Sequence, residues 1–94
     1  MKIWALLRTH QKIVQDVVME FPGERPTEEE AWQEIIDLLC HALHQSRPVI
    51  LNKHFQQLAS FARTAFLPAD FMEPVAFDKL ELEIFPEKKQ TQLQ

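Results

Sequence analysis

The chain has 94 residues, a formal net charge of −4 at pH 7 and 46% hydrophobic residues, which is the composition of one ordinary globular domain. The acidic balance argues against nucleic-acid binding, which takes most of its affinity from Lys and Arg contacts with phosphate. The single cysteine, Cys40, excludes an internal disulfide and favours a reducing compartment. No stretch approaches the roughly 20 apolar residues of a membrane span, so we expect a soluble, cytoplasmic protein without a membrane partner.

The first predicted element is a strand over Ile3-Trp4-Ala5-Leu6-Leu7. It is apolar at odd and even positions, so it needs cover on both faces. A second strand over 13–21 follows and is rich in β-branched residues. No Asn-Gly or Asp-Gly pair lies between the two strands, so we expect a hairpin loop of three to five residues.

Two helices are predicted next. Thr27 and Glu30 match a capping box, so the first helix should begin near Thr27, and Pro48 should end it. Its apolar stripe comprises Ala31, Trp32, Ile35, Ile36, Leu38, Leu39, Ala42 and Leu43. Asn52 is a good N-cap for the second helix, which continues at helical spacing through Phe66 to Pro68.

A third strand is predicted near the C-terminus, where Leu80, Leu82 and Ile84 alternate with charged residues. Residues 87–94 show no apolar pattern and predict a flexible tail, which leaves 1–86 as a single domain.

Together these elements predict an α+β fold in the order β-β-α-α-β. We expect two layers: a three-stranded sheet covered on one face by two antiparallel helices. The first strand is expected at the centre because it carries no charge between Ile3 and Leu7, whereas the other two strands carry the charges typical of edges.

Segments 8–14, 47–54 and 70–81 resemble stretches of small uncharacterised bacterial proteins. The resemblance spans most of the chain but contains no defined motif. It implies a compact bacterial cytosolic domain and carries no activity or functional residue with it.

A possible metal site lies on the first helix, where Asp37, His41 and His44 form a stripe. Residues three and four apart are neighbours on a helix, and carboxylate with imidazole is a suitable ligand set for a divalent metal. A closed site needs a fourth ligand, for which His54 and His10 are the long-range candidates. The alternative is an exposed Asp37–His41 pair with His44 at the negative end of the helix dipole.

The sequence indicates two other kinds of site less clearly: an anion site and a nucleophile–base pair. Lys53 and His54, with Arg47 nearby, could hold an anion at the start of the second helix, although solvated charge is common there. Cys40 beside a histidine suggests a nucleophile–base pair, but no Gly-rich loop accompanies it, and a small buried filler is the alternative. The single Gly argues against a phosphate-cradling loop.

The sequence therefore assembles no catalytic centre, and an enzyme is the less favoured interpretation. We favour a small cytosolic protein-interaction or structural module without a cofactor, acting through self-association or a protein partner. The alternative is a metal-dependent or anion-binding protein that uses Asp37, His41 and His44.

The self-association hypothesis depends on the sheet face that the helices leave uncovered. That face should present an apolar patch formed by Trp4, Leu6, Val14 and Val18. Patches of this kind usually mark contacts, so we predict a homodimer or a larger homo-oligomer. The competing arrangement is a monomer in which Arg8, Lys12 and the C-terminal tail shield Trp4.

Overall fold

The computed structural model of the chain describes residues 1–86. The elements in this range are β1 (Lys2–Thr9), β2 (Lys12–Glu20), α1 (Glu29–Ala42), α2 (Asn52–Phe61), β3 (Arg63–Phe66), a 3-10 turn (Pro68–Asp70) and β4 (Lys79–Ile84). They form an α+β fold with one antiparallel sheet in the order β2-β1-β4-β3. The predicted tail, residues 87–94, lies outside the described residues.

The predicted three-stranded sheet is wrong, because a further strand, β3, forms between α2 and β4. As a result β4 is not an edge strand: it pairs with β1 on one side and with β3 on the other. Its charges have partners inside the sheet instead, since Glu83 lies opposite Arg63 and Glu81 is bonded by Arg8. Charge on this strand therefore does not mark an edge.

The second helix ends earlier than predicted because Ala62 adopts a left-handed conformation, with φ of 60°. The Ala62 N–H donates to the Leu58 carbonyl at 3.2 Å, and the Arg25 guanidinium donates to the Leu58 and Ala59 carbonyls at 3.3 and 3.2 Å. These bonds satisfy carbonyls that the helix end leaves without partners. The chain then extends, and Phe66, which continues the helical spacing in sequence, is a buried strand residue.

The first helix also differs from its prediction at its start. Its N-cap is Glu28 and makes no side-chain cap hydrogen bond, so the capping box predicted for Thr27 and Glu30 does not begin the helix. At the other end, Leu43 caps the helix and His44 follows with φ of 59°. The helix thus ends before Pro48 is reached.

The hairpin between β1 and β2 has a two-residue turn, and the predicted longer loop is wrong. His10 and Gln11 both have positive φ, 52° and 69°, as a type I′ turn requires. Two contacts help to hold this conformation: the His10 N–H donates to the Asp78 carboxylate at 2.7 Å, and the Arg8 guanidinium donates to the Gln11 carbonyl at 3.2 Å.

One hydrophobic core lies between the helices and one face of the sheet. The strand residues in it are Ile3, Ala5, Leu7, Phe66, Leu80, Leu82 and Ile84. The helix residues in it are Trp32, Ile35, Ile36, Leu39, Cys40 and Leu58. We call this side of the sheet the covered face. The opposite side, which carries Trp4, Leu6, Arg8 and their cross-strand partners, is the open face.

Candidate interaction surface

The open face is built by alternation along β1, whose side chains point to opposite sides of the sheet in turn. Directly opposed residues of an antiparallel pair share a face, so Trp4 lies between Val18 of β2 and Glu83 of β4. Leu6 lies between Asp16 and Glu81 in the same way. Each of these cross-strand rows on the open face therefore combines apolar and charged side chains.

The exposed aliphatic side chains of this face lie on β2. Ile13, Val14 and Val18 are 44%, 58% and 49% exposed. The pairing register shifts between Leu7 and Arg8, which places Ile13 opposite Arg8 and leaves Val14 as an extra residue, as in a β-bulge. We call Ile13, Val14 and Val18 the β2 strip. Sequence reasoning missed Ile13, because strict alternation assigns it to the covered face.

Trp4 borders the β2 strip and is held in place from two sides. Its indole Nε1–H donates to the Asp16 carboxylate at 2.9 Å, and its ring stacks on Phe85 with centroids 6.4 Å apart. The side chain is half-buried. Trp4 thus presents one fixed aromatic surface opposite the exposed Val18.

Leu6 lies on the open face but is only 1% exposed. The register surrounds it with long side chains: Asp16 and Glu81 lie across the strands, and Trp4 and Arg8 lie two residues away on β1. The stems of such residues can cover apolar surface while their polar ends stay in water. Of the predicted interface residues, Trp4, Val14 and Val18 are accessible to a partner, and Leu6 is not.

A cluster of charged side chains, Arg8, Glu81 and Lys79, lies on the open face. The Arg8 guanidinium donates to Glu81 at 2.9 Å, and the Lys79 ammonium lies 3.1 Å from the other Glu81 oxygen. Partial burial works against ionisation of Glu81, but the bonds from Arg8 and Lys79 outweigh it and lower the pKa of its carboxyl. Both cations of this cluster already have an anionic partner, so it offers little free charge to a ligand.

Three of the predicted metal ligands, Asp37, His41 and His44, are exposed residues at the C-terminal end of α1. The fourth, His54, is fully buried. Among residues 1–86, no group of three or more His, Cys, Asp or Glu side chains could hold a metal ion. The predicted set is therefore not brought together here, and the anion site loses His54 as well because its side chain is turned into the core.

His54 makes an unusual helix cap. The Leu51 N–H donates to His54 Nδ1 at 2.9 Å, so the neutral imidazole must carry its proton on Nε2. Nε2 has no hydrogen-bond partner among the described residues, and a carboxylate oxygen of Asp70 lies 3.7 Å from it. The ring also packs on Phe66, with centroids 4.2 Å apart. Sequence reasoning predicted Asn52 as the N-cap, whereas the N-cap is Leu51 and Asn52 is the first helical residue, and it missed the bond from the Leu51 N–H to His54.

Cys40 is fully buried in the core. Burial, with the nearby charge of Asp37, raises the pKa of its thiol to about 12, although Arg47 works in the opposite direction. A thiol of this kind stays protonated at neutral pH and is a poor nucleophile. The structure therefore favours the interpretation of Cys40 as a core residue.

A second surface feature, which sequence reasoning did not find, lies beside β3. A pocket of about 300 Å³ is lined by Gln57, Phe61, Arg63, Thr64, Ala65, Glu81, Leu82 and Glu83. Phe61 at its rim is 70% exposed. The lining combines one cation, two carboxylates, two uncharged polar side chains and apolar side chains, and part of it comes from the edge strand β3, which the sequence did not reveal.

Comparison with known proteins gives no family and no structural relative: no family model, curated protein or solved structure matches the chain. No helix within residues 1–86 is long and apolar enough to cross a membrane. The bacterial origin and the cytoplasmic location stay predictions. Any function has to be argued from the surfaces described above.

Proposed function

We propose that the chain is a small protein-interaction module that self-associates through the β2 strip and Trp4. The observation that carries the proposal is the exposure of three β-branched side chains, Ile13, Val14 and Val18, on one strand, with Val18 directly opposite a fixed indole ring. Clustered apolar side chains on a sheet face usually mark a contact.

A second copy of the chain is the simplest partner. A twofold contact buries the same strip on both chains with a single interface. The charges around the strip support this choice because both signs are present: Asp16 and Glu20 are acidic, and Lys2 and Lys12 are basic. A surface of mixed charge can complement a copy of itself, whereas a surface of one sign would repel one.

The half-buried Trp4 suits the centre of such a contact. Aromatic residues are enriched at the energetic centres of interfaces, and ordering the side chain beforehand lowers the entropy lost on binding. Asp16 and Phe85 already fix the indole, so little further ordering is needed. Asp16 lies between Val14 and Val18 on the same strand, and its carboxylate already accepts the indole N–H, so it enters the contact with a hydrogen-bond partner.

The test is sedimentation equilibrium of the intact chain and of the Val18→Lys variant at micromolar to tens of micromolar concentration. Val18 shares its face with Asp16 and Glu20, two positions away on either side, so a lysine there meets opposite charges and should leave the fold intact. We expect the parent chain to be a dimer and the variant to be a monomer with an unchanged circular dichroism spectrum.

The matched control is Leu38→Lys, which places the same charge at a similarly exposed leucine, 51% exposed, on α1. This variant should stay dimeric. A parent chain that is monomeric throughout the concentration range contradicts the proposal. A dimer that dissociates in Leu38→Lys and persists in Val18→Lys contradicts the choice of surface.

A further inference from the structure

We propose that His54 is a pH-sensitive switch that holds the segment before α2 in place when its ring is neutral and releases that segment when its ring is protonated. The geometry that points to this is the combination of a buried imidazole, a backbone N–H bonded to one ring nitrogen and a carboxylate near the other. The proposal is independent of the β2 strip, since it concerns the opposite end of the helical layer and no residue of β2.

In the neutral ring, Nδ1 is an acceptor and takes the N–H of Leu51, which is the N-cap residue of α2. A helix start leaves several N–H groups without intrahelical partners, and a side chain at the third position commonly bonds the N-cap N–H. Glutamate or glutamine usually fills that role. Here it is filled by histidine, whose ordinary pKa lies near neutral pH.

In the protonated ring, Nδ1 carries a hydrogen and can no longer accept one. The Leu51 N–H then faces another N–H in a partly buried contact, beside a ring that is 0% exposed. Leaving a donor unsatisfied there is unfavourable, so the cap has to open. The added proton comes from solvent, and it reaches Nδ1 only when the 49–52 segment moves away.

The charges that face the ring come from two elements. Asp70 in the 3-10 turn favours the protonated ring, and Lys53 on α2 opposes it. Burial outweighs the other influences and lowers the pKa of His54, although the Asp70 carboxylate works in the opposite direction. The closed state is therefore the stable one at neutral pH, and opening requires a pH below the ordinary histidine pKa of 6.5.

Opening would loosen a junction of two loops. The Val49 N–H donates to the Asp70 carbonyl at 2.7 Å, and the Leu67 N–H donates to the Asp70 carboxylate at 2.9 Å. His54 thus connects the segment before α2 to the turn that follows β3. Both loops carry apolar side chains that are already partly exposed, among them Leu51 at 43% and Leu67 at 51%. Release of the cap should increase the accessible apolar surface at this end of the molecule.

The experiment is amide hydrogen exchange of the full chain by NMR at pH 7.5 and pH 5.0, corrected for the intrinsic exchange rate at each pH. We expect the protection of the Leu51 amide to fall several-fold at pH 5.0 while the amides of Ala5 and Leu82, in the sheet, keep theirs. Equal protection of Leu51 at both pH values would overturn the proposal.

Two variants identify the group responsible. His54→Gln keeps an acceptor at the third helix position and cannot titrate, so Leu51 should be equally protected at both pH values. His41→Gln removes an exposed histidine of α1 and should behave like the parent chain. A pH-dependent loss that persists in His54→Gln, or that disappears in His41→Gln, refutes the assignment to His54.

A further variant and a direct titration complete the test. Asp70→Asn removes the charge that favours the protonated ring but keeps an acceptor for Leu67, so the opening should move to lower pH. If His54→Gln does not fold, titration of the His54 ring signals in the parent chain decides the matter. A pKa below the ordinary 6.5 supports the proposal, and a value at or above 6.5 overturns it.

Discussion

The covered face and the open face of the sheet share the strand β1, yet they differ in the residues that the neighbouring strand β4 places opposite it. On the covered face, β4 places Leu82 opposite Ala5 and Leu80 opposite Leu7. On the open face, the same strand places a glutamate opposite each apolar residue of β1: Glu83 faces Trp4 and Glu81 faces Leu6. The contrast teaches that β1, which is apolar on both sides, does not determine which face is covered. Its neighbours do.

The largest expected effect belongs to the covered face. Leu82→Ala removes a side chain that is 1% exposed in the middle of the core, which should lower the free energy of unfolding by about 2–5 kcal/mol. Val18→Ala on the open face should change it by no more than about 0.5 kcal/mol, measured where the chain is monomeric. Chemical denaturation of both variants checks this. An equal loss of unfolding free energy in the two variants would contradict the distinction between the faces.

The next prediction concerns the one open-face residue that behaves like core. Leu6 is as buried as Leu82, although its neighbours across the strands are charged. Leu6→Ala should therefore cost about 2–3 kcal/mol, near the lower end of the range for buried leucine, because flexible side chains around it can partly collapse into the space. A loss below about 0.5 kcal/mol in a denaturation experiment would show that the surrounding side chains do not exclude water from Leu6.

The same contrast explains how much of the fold could be predicted. The alternation of Leu80, Leu82 and Ile84 was enough to identify β4, and the helical stripe was enough to identify α1. The strand β3 was missed because it has only four residues and because Phe66 extends the helical spacing of α2. The break between them depends on Ala62 in a left-handed conformation, for which glycine would have been the usual signal.

The candidate surface was partly predictable for a similar reason. Val14, Val18 and Trp4 follow from alternation alone, and the structure places all three on the open face or at its bulge. The burial of Leu6 could not be predicted, because it depends on which charged residues β4 and β2 bring beside it. The cap formed by His54 also could not be predicted from the sequence, since it requires the ring to point back toward Leu51.

The third prediction tests the charges that cover the open face. The Arg8–Glu81 pair is about three-quarters buried, and its loss in Glu81→Gln should cost about 1 kcal/mol at pH 7. Burial alone would raise the pKa of Glu81, but its bonds to Arg8 and Lys79 lower it below the ordinary 4.5. The contribution is therefore complete above about pH 4.5 and is lost as the pH falls through the lowered pKa.

The measurement is the free energy of unfolding of the parent chain and of Glu81→Gln between pH 3 and pH 7. The difference between the two proteins should be largest near neutral pH and should shrink in acid. Lys79→Gln is the matched control, because it removes the more exposed of the two cations and leaves the Arg8 bond in place. A difference between the parent and Glu81→Gln that does not change with pH would contradict the assignment to this carboxylate.

The smallest expected effect concerns the turn that carries β2 and, with it, the exposed part of the open face. Gln11 has φ of 69°, a conformation that glycine adopts without the strain that a Cβ imposes. Gln11→Gly should therefore raise the free energy of unfolding by about 0.5 kcal/mol, since relief of strain outweighs the greater freedom of the unfolded chain. Gln11→Ala is the matched control: it removes the same side chain but keeps the Cβ, and it should give no gain.

The bond from Arg8 involves only the Gln11 carbonyl and survives in both variants. Because β2 has no buried residue and only two half-buried ones, we expect the gain to appear also as slower amide exchange along Lys12–Glu20, whereas the covered face should be unaffected. Equal stability of the glycine and alanine variants would mean that the turn is held by its bonds to Asp78 and Arg8 at no cost in strain.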